Sequence, residues 1–294
     1  MARIITVIIV VTIILVVFGG VEYSVLRQVQ APKNADNEVE NTHFAYSNIA
    51  ELYGDLSKIQ TWADDSKKLG GISSHHFFVS NKIASFLAGL KINNPEVIVI
   101  LGPNHFGAGG KDILVSKYDY QTPWGRLEND KDLGDKLVNS GIAANEEVPF
   151  EREHSISALA GFIKYYLPDV KIVPIIIKLN VGAQKAQALS EQLNDILSQN
   201  SFVLASVDFS HHTTFFQANE WDKKTAEVLK DFDFSQIYDC QMDSHASIYA
   251  LLKYLQLRGA KDMRYINLNS AQLMNNLDFQ DVTSYFFAYF GKNN

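Results

Sequence analysis

Three short apolar runs, rich in valine and isoleucine, constrain the fold of this chain most. They cover residues 96–101 (EVIVIL), 171–178 (KIVPIIIK) and 202–207 (FVLASV). Apolar runs of this length, without alternating polar residues, are typical of strands that are buried on both faces of a sheet. Pro174 has no backbone N–H to donate, so we expect a sheet edge or a bulge at that position.

Helical patterns lie between and after these strands. Residues 155–166 carry apolar side chains at intervals of three and four, which predicts an amphipathic helix. Further helices are predicted over 181–199, 221–229 and 246–257, and further strands over 264–268 and 282–289. This alternation predicts an α/β fold with helices on both faces of a sheet. Ligand sites in such folds lie beyond the carboxyl ends of the strands.

The N-terminus carries a long apolar run, residues 4–21, which follows Arg3. As a helix it would span about 27 Å, close to the thickness of a bilayer core. No small-residue cleavage site follows, so an uncleaved single-pass anchor over residues 1–21 is favoured over a cleaved signal peptide. Arg3 favours a cytoplasmic N-terminus, with the bulk of the chain extracytoplasmic. We therefore expect a membrane-anchored protein with a polar linker over 22–43 and one α/β domain over 44–294.

Charge and cysteine content exclude several classes of protein. The formal net charge of the 294 residues is −7 at pH 7, and no basic segment indicates nucleic-acid binding. The single cysteine, Cys240, excludes an intrachain disulfide and a cysteine-rich zinc module. These observations favour a small-molecule ligand over a nucleic acid.

Seven of the eight histidines fall in five short polar motifs. The motifs are SHH (74–76), GPNH (102–105), EHS (153–155), DFSHH (208–212) and DSH (243–245). Two of them directly follow predicted strands, and loops at strand ends can bring distant segments together. The pattern predicts a His/Asp metal or acid–base site. A structural interpretation also stays open, because Glu153, Asp208 and Asp243 are each able to cap a following helix.

Six motifs in their order resemble the Memo family, also called AmmeMemoRadiSam system protein B. They are GGISSHH (70–76), LGPNH (101–105), TPWG (122–125), EREHSI (151–156), VDFSHH (207–212) and DSHASIYALLKYL (243–255). The resemblance covers about residues 70–290 and departs from the family at Ser74, where a proline is usual. It implies a single-domain α/β sandwich similar to class III (LigB-type) extradiol dioxygenases, with a metal-binding cleft.

The resemblance also implies roles for individual residues. His75 and His105 correspond to metal ligands, and Asp208 and His211 line the same cleft. Glu153 and His154 lie near it. Eukaryotic members supply a cysteine as the third ligand, and the corresponding residue here is Asp243. Cys240, three residues earlier, is the alternative.

Two histidines and one carboxylate form the ligand set of non-haem Fe(II) oxygenases. One divalent metal is therefore expected, with Fe(II) favoured and Zn or Cu as alternatives. His211 is then the candidate acid/base, and Asp208 orients it or a ligand histidine. We expect Glu153 and His154 to position the substrate or a metal-bound water.

The predicted function is a metal-dependent oxidoreductase acting on a small substrate that the sequence does not identify. The alternative is a non-catalytic metal- or ligand-binding module, since the fold does not decide the activity. A hydrolase that uses a metal-bound water is a third possibility. Phe77 and Phe106 lie next to ligand candidates, and a cleft that they block would favour the binding module. The family name implies an association with AMMECR-type and radical-SAM proteins.

Overall fold

The three apolar runs form neighbouring strands in the middle of one sheet. The structure, a computed structural model, describes residues 41–62 and 66–292. Its strands are β1 (Thr42–Phe44), β2 (Lys68–Ser73), β3 (Val97–Asn104), β4 (Ile113–Val115), β5 (Asp119–Thr122), β6 (Gly125–Leu127), β7 (Ala144–Asn145), β8 (Lys171–Lys178), β9 (Ser201–Ser206), β10 (Asp262–Asn269) and β11 (Ser284–Gly291). Its α-helices are α1 (Ser80–Gly89), α2 (Lys131–Asn139), α3 (His154–Tyr166), α4 (Ala183–Ile196), α5 (Phe215–Asp231), α6 (His245–Leu257) and α7 (Ser270–Leu273). Single 3-10 turns cover Ala50–Tyr53, Leu56–Lys58, Phe77–Val79, Leu90–Ile92, Val148–Glu151 and Ile237–Asp239.

The main sheet has eight strands in the order β10-β11-β2-β9-β3-β8-β4-β7. Its central strands β2, β9, β3 and β8 are parallel, while β11 is antiparallel to β2 and β4 is antiparallel to β8. A second sheet has three strands in the order β1-β5-β6. The prediction of an α/β fold is confirmed as a mixed α/β fold with two sheets and helices.

Side chains of the main sheet alternate between two cores. In β3, Val97, Val99 and Leu101 belong to one cluster, and Ile98 and Ile100 belong to the other. The first cluster includes buried residues of α2, α4, α5 and α6, and the second includes those of α1, α3 and the small sheet. Each buried aliphatic side chain contributes about 1.5–3 kcal/mol. Two helical layers therefore hold the strand ends in position.

The predicted strands agree closely with the observed ones. The run at 171–178 is β8, and the run at 202–207 is β9, displaced by one residue. The run at 96–101 extends to Asn104 because β3 pairs with β8 along its whole length. The helix predicted over 221–229 begins earlier, at Phe215, because the Thr214 side chain caps it.

Pro174 lies inside the sheet, not at its edge, because β8 has β3 on one side and β4 on the other. The N–H of Lys171 donates to Glu96 on the β3 side, so Pro174, three residues later, presents its nitrogen to the opposite side. There β4 ends at Val115, which pairs with Ile175. The nitrogen of Pro174, which has no proton to donate, therefore faces the end of the short strand β4.

Strand β2 is absent from the predicted elements because two glycines interrupt its apolar pattern. A Cβ atom at Gly70 would lie 2.7 Å from the carbonyl oxygen of Val203 in β9. At Gly71 a Cβ atom would collide with the carbonyl oxygen of Ala288 in β11. These glycines let β2 lie between its two neighbours.

The prediction of a membrane-anchored, single-pass protein is corrected by the structure. Within residues 41–62 and 66–292, no helix combines the length and apolar character needed to cross a membrane. The longest, α5, has 17 residues and contains several charged side chains, whereas a spanning helix needs about 20 mostly apolar residues. The apolar run at 4–21 and most of the predicted linker at 22–43 lie outside the described residues.

Candidate metal centre

Three of the predicted site residues follow adjacent parallel strands. Strands β2, β9 and β3 are neighbours in the sheet. His75 comes two residues after β2, Asp208 two residues after β9, and His105 directly after β3. Because parallel strands end at the same edge of a sheet, these side chains meet there.

Glu153 and Asp243 reach the same edge from the N-termini of helices. Glu153 is the N-cap of α3, and its carboxylate accepts a hydrogen bond from the N–H of Ser155. In α6 the capping residue is Ser244, which accepts from the N–H of Ser247. Helix capping therefore explains part of the role of Glu153 and none of that of Asp243.

Asp208 and Asp243 are joined through the backbone. The N–H of Asp208 donates to Asp243 Oδ2 at 3.1 Å, and the N–H of Asp243 donates to the carbonyl oxygen of Asp208 at 3.0 Å. Oδ1 of each carboxylate is buried without a hydrogen-bond partner. A buried carboxylate oxygen left in this state costs free energy unless a cation or a donor pairs with it. These two orphaned atoms fit the presence of a cation.

Hydrogen bonds fix the tautomer of His75. The hydroxyl of Ser206 donates to the carbonyl oxygen of Ser155 at 2.5 Å, so its proton is committed. Its oxygen lies 3.2 Å from His75 Nδ1 and can only accept there. Nδ1 therefore carries the proton, and Nε2 keeps its lone pair as a potential metal ligand.

His105 is fixed in the same way by Glu153. Its Nδ1 lies 2.8 Å from Glu153 Oε1, and its backbone N–H donates to Oε2 at 2.8 Å. The Glu153 side chain has no exposed surface. A buried carboxylate that orients the ring of a ligand histidine is common around protein metal sites. His105 Nε2 is thus directed toward the cleft.

One carboxylate oxygen lies between the two imidazoles. Asp243 Oδ2 is 3.4 Å from His75 Nε2 and 3.7 Å from His105 Nε2. Two ligands of a tetrahedral metal ion, each about 2.1 Å from it, lie about 3.4 Å apart. In the described part of the chain, two trios have potential ligand atoms within 4.8 Å of one another: His75, His105 and His154, and His75, Asp208 and Asp243. The predicted ligand set is divided between these trios.

Burial and charge act differently on the members of the site. Burial lowers the pKa of His75 to about 4, although Asp208 opposes this shift. Burial also lowers the pKa of His105, but the hydrogen bonds and charges of Asp243 and Glu153 outweigh it and raise that pKa to about 10. Burial and the charge of Asp208 raise the pKa of Asp243 to about 7. His75 is therefore a neutral imidazole whose Nε2 offers a lone pair. A proton on His105 pairs with Asp243.

His154 and His211 are less buried than His75 and lie beside the candidate ligands. The ring of His154 stacks on that of His105 with centroids 4.4 Å apart, and its side chain is 43% exposed. His211 is half-buried and lies close enough to Asp208 to influence its pKa. Burial lowers the pKa of both histidines. A neutral imidazole beside a cleft can accept a proton and, once protonated, return it.

The remaining candidates lie outside the cleft. His212 is exposed and pairs with Asp281 at 2.7 Å. His245 Nε2 lies 2.8 Å from the carbonyl oxygen of Cys240. The Cys240 thiol donates to the carbonyl oxygen of Gln236 and packs in the core, and Cys240 belongs to neither trio of candidate ligands.

Residues that support the candidate ligands were not predicted from the sequence. Ser206 and Ser155 fix His75: Ser206 is marked only as a polar residue in an apolar run, and Ser155 belongs to the EHS motif but had no role predicted for it. Gly102 lets α3 approach β3, because a Cβ atom there would lie 2.5 Å from Ser155 Oγ. The glycine of the LGPNH motif could have signalled this close approach.

Phe77 and Phe106 occupy different places. Phe77 packs against Tyr46 and Tyr53, with ring centroids at 4.8 and 5.3 Å, and so belongs to the aromatic core under the sheet. Phe106 is 55% exposed, and the guanidinium of Arg152 lies 5.3 Å from its ring centroid. Phe77 therefore leaves the cleft open.

Comparisons with known proteins agree with the motifs. The family described as Memo-like protein matches residues 60–282. A MEMO1 family protein of Pyrobaculum aerophilum is 28% identical over 208 residues, which are 68% of this chain and 74% of the relative. One from Methanosarcina mazei is 30% identical over 63% of this chain and 69% of its own length. An uncharacterized protein of Escherichia coli K12 has a similar fold, with a TM-score of 0.50 at 12% identity, over 75% of this chain and 99% of that one.

Proposed function

Because the chain belongs to the Memo-like protein family, we propose that its cleft holds one divalent metal ion with His75, His105 and Asp243 as ligands. The observation that carries this proposal is the convergence of acceptors. The Nδ1 atoms of both histidines are engaged by Ser206 and Glu153, so both Nε2 atoms face Asp243 Oδ2. Three acceptors directed at one another are stable only with a cation or a proton between them.

The donor set favours Fe(II). Two imidazoles and one carboxylate with open coordination positions suit iron oxygenases, whereas imidazoles alone suit zinc and copper equally well. Bound Fe(II) would supply redox chemistry toward O2 and a small substrate held at the same centre. We propose a metal-dependent oxidoreductase whose substrate is unknown. Zn and Cu are the alternatives for the metal.

The surrounding residues divide into positioning and proton-handling groups. Glu153 accepts hydrogen bonds from both the ring and the backbone of His105, and it therefore positions this ligand. His154 and His211 are the acid–base candidates, because burial lowers the pKa of both and both lie close to the candidate ligands. Asp208 supports Asp243 and offers a further carboxylate oxygen to the metal.

Metal content tests this proposal. Full-length protein without a histidine tag is reconstituted anaerobically with Fe(II), Zn(II) or Cu and subjected to elemental analysis. We expect a single iron per chain, lost in the His75→Ala/His105→Ala double variant and retained in His212→Ala, an exposed histidine paired with Asp281. Uptake of iron justifies O2-consumption assays. Preference for zinc shifts the function toward hydrolysis or binding, and folded wild-type protein without any metal contradicts the proposal.

A further inference from the structure

A tyrosine beneath the cleft orients a histidine that the metal site does not use. Tyr285 lies on β11, which pairs with β2, and His76 follows β2 beside His75. The phenolic oxygen of Tyr285 is 2.8 Å from His76 Nδ1. Tyr285 is fully buried, whereas His76 is exposed. A buried residue thus binds Nδ1 of His76, while the rest of the His76 ring is exposed to solvent.

The direction of this hydrogen bond sets the tautomer of His76. A phenol has a pKa of about 10 and stays protonated at neutral pH. A buried hydroxyl needs an acceptor for its proton, and His76 Nδ1 is the one described for Tyr285. The phenol therefore donates, Nδ1 accepts, and His76 carries its proton on Nε2.

His76 borders the same cleft as the metal centre. It is close enough to Asp208, His154 and His211 to influence their pKa values. Its polarity is opposite to that of His75: Nε2 of His75 presents a lone pair, while Nε2 of His76 presents an N–H. Such a donor cannot bind a metal ion, but it can bind an oxygen atom of a ligand.

A positive charge lies next to Glu153 and His105. Arg152 directly precedes Glu153, and its guanidinium lies over the ring of Phe106, which follows His105. Arg152 is exposed. A cation beside a cleft raises the local concentration of anions. The charge of Arg152 and the N–H of His76 therefore both favour a negatively charged oxygen ligand.

We propose that His76, oriented by Tyr285, is a recognition residue that donates a hydrogen bond to a carboxylate or phosphate group of a molecule bound at the metal centre. This inference rests on the proposed metal site. It adds the chemical class of the ligand, an oxyanion-bearing small molecule. Tyr285 is a positioning residue that acts through His76.

The test uses full-length protein loaded with Zn(II), with zinc content measured first. Acetate and inorganic phosphate are titrated separately by calorimetry, with and without zinc. His76→Phe keeps the ring shape but has no donor, and we expect the affinity for the preferred anion to fall by about fivefold to tenfold. His76→Gln restores an N–H donor and should recover most of that loss. His212→Ala is the control histidine and should bind the anion as the wild type does.

A second readout follows the tautomer itself. In 15N-histidine spectra, the signals missing from His76→Phe identify His76, and we expect an unprotonated Nδ1 and a protonated Nε2. Tyr285→Phe should mix the two tautomers without changing zinc content. Equal anion affinity in wild type and His76→Phe, or a protonated Nδ1 in the wild type, overturns the inference. Loss of zinc from both variants also overturns it, because the pair would then support the metal. Failure of the wild type to take up zinc would refute the metal site instead.

Discussion

At the scale of single residues, the site depends on which ring nitrogen carries a proton. Ser206 and Glu153 hold the Nδ1 protons of His75 and His105, while Tyr285 directs the proton of His76 to Nε2. Identical side chains therefore take opposite roles within one cleft. The difference comes from buried partners and not from the histidines.

Replacing Glu153 tests this dependence on a buried partner. Glu153→Gln offers an amide oxygen in place of a charged acceptor, so His105 Nδ1 is held less firmly. We expect metal affinity to fall by about 10- to 100-fold, the usual effect of losing such a partner. Competition with a chromophoric chelator measures it. Glu128→Gln, at an exposed position, is the control, and equal affinities in the two variants would contradict the role of Glu153.

Glu147 should make stability depend on pH. Burial raises its pKa, but hydrogen bonds from His43, Ser116, Lys117 and Asn145 outweigh this effect and lower it. A carboxylate with a lowered pKa adds stability above its unfolded-state pKa, and this stability disappears as pH falls through the folded-state value.

We therefore expect Glu147→Gln to lose about 1–3 kcal/mol of unfolding free energy at pH 7. The difference from wild type should shrink as pH falls below about 4.3, the ordinary glutamate value. Urea denaturation at several pH values measures both quantities. A difference that stays constant down to the acid range would argue against this account.

At the scale of elements, the site depends on how closely α3 approaches β3. Gly102 in β3 lies against Ser155 in the first turn of α3, so His105 and Glu153, which follow and precede these residues, come within hydrogen-bond distance. Neither element would hold this geometry alone. The close contact is therefore a structural requirement of the ligand pair.

Gly102→Ala should separate the two elements. Its Cβ atom would lie 2.5 Å from Ser155 Oγ, and overpacking of this kind costs about 1–3 kcal/mol. We expect lower stability in urea and weaker metal binding together. Gly134→Ala in α2 is the matched control, because its Cβ atom meets Lys117 Cγ at an ordinary 3.5 Å. That change should stabilise the protein by about 0.5–1 kcal/mol. Unchanged metal affinity in Gly102→Ala would show that the close approach of Gly102 and Ser155 does not support the metal site.

At the scale of the whole molecule, the order of strands creates the cleft. Strands β2, β9 and β3 lie side by side although they are far apart in sequence. Their carboxyl ends supply His75, Asp208 and His105, and helices on the two faces add Glu153 and Asp243. A ligand that bridges these segments must stabilise the entire fold by mass action.

Metal loading should therefore raise the melting temperature. At a free metal concentration of about 100 times Kd, the native state gains about 2.7 kcal/mol. For a domain of this size that corresponds to about 5–10 °C. Differential scanning calorimetry with and without metal measures the shift. The His75→Ala/His105→Ala variant should show none and His212→Ala the full shift, whereas an equal shift in all three proteins would indicate binding elsewhere.

Much of the fold follows from local sequence. The apolar runs predicted β3, β8 and β9 within a few residues, since strands buried on both faces need uninterrupted apolar side chains. Strand β2 was not predicted because Gly70 and Gly71 interrupt its apolar pattern. Glycine is required at these positions because a Cβ atom would collide with carbonyl oxygens of the neighbouring strands, which the sequence alone does not show. The predicted membrane anchorage finds no support in the described helices, none of which is long and apolar enough to cross a membrane.

The sequence by itself determined the fold class, the family and the cluster of histidines, because local periodicity and short motifs encode them. Tertiary structure alone decided which ring nitrogens of His75 and His105 face Asp243, that Ser244 and not Asp243 caps α6, and that Cys240 lies in the core. The physical reason is that hydrogen-bond partners such as Ser206 and His75 are 131 positions apart in the chain. Only the sheet brings them within reach, and no local pattern records such a pairing.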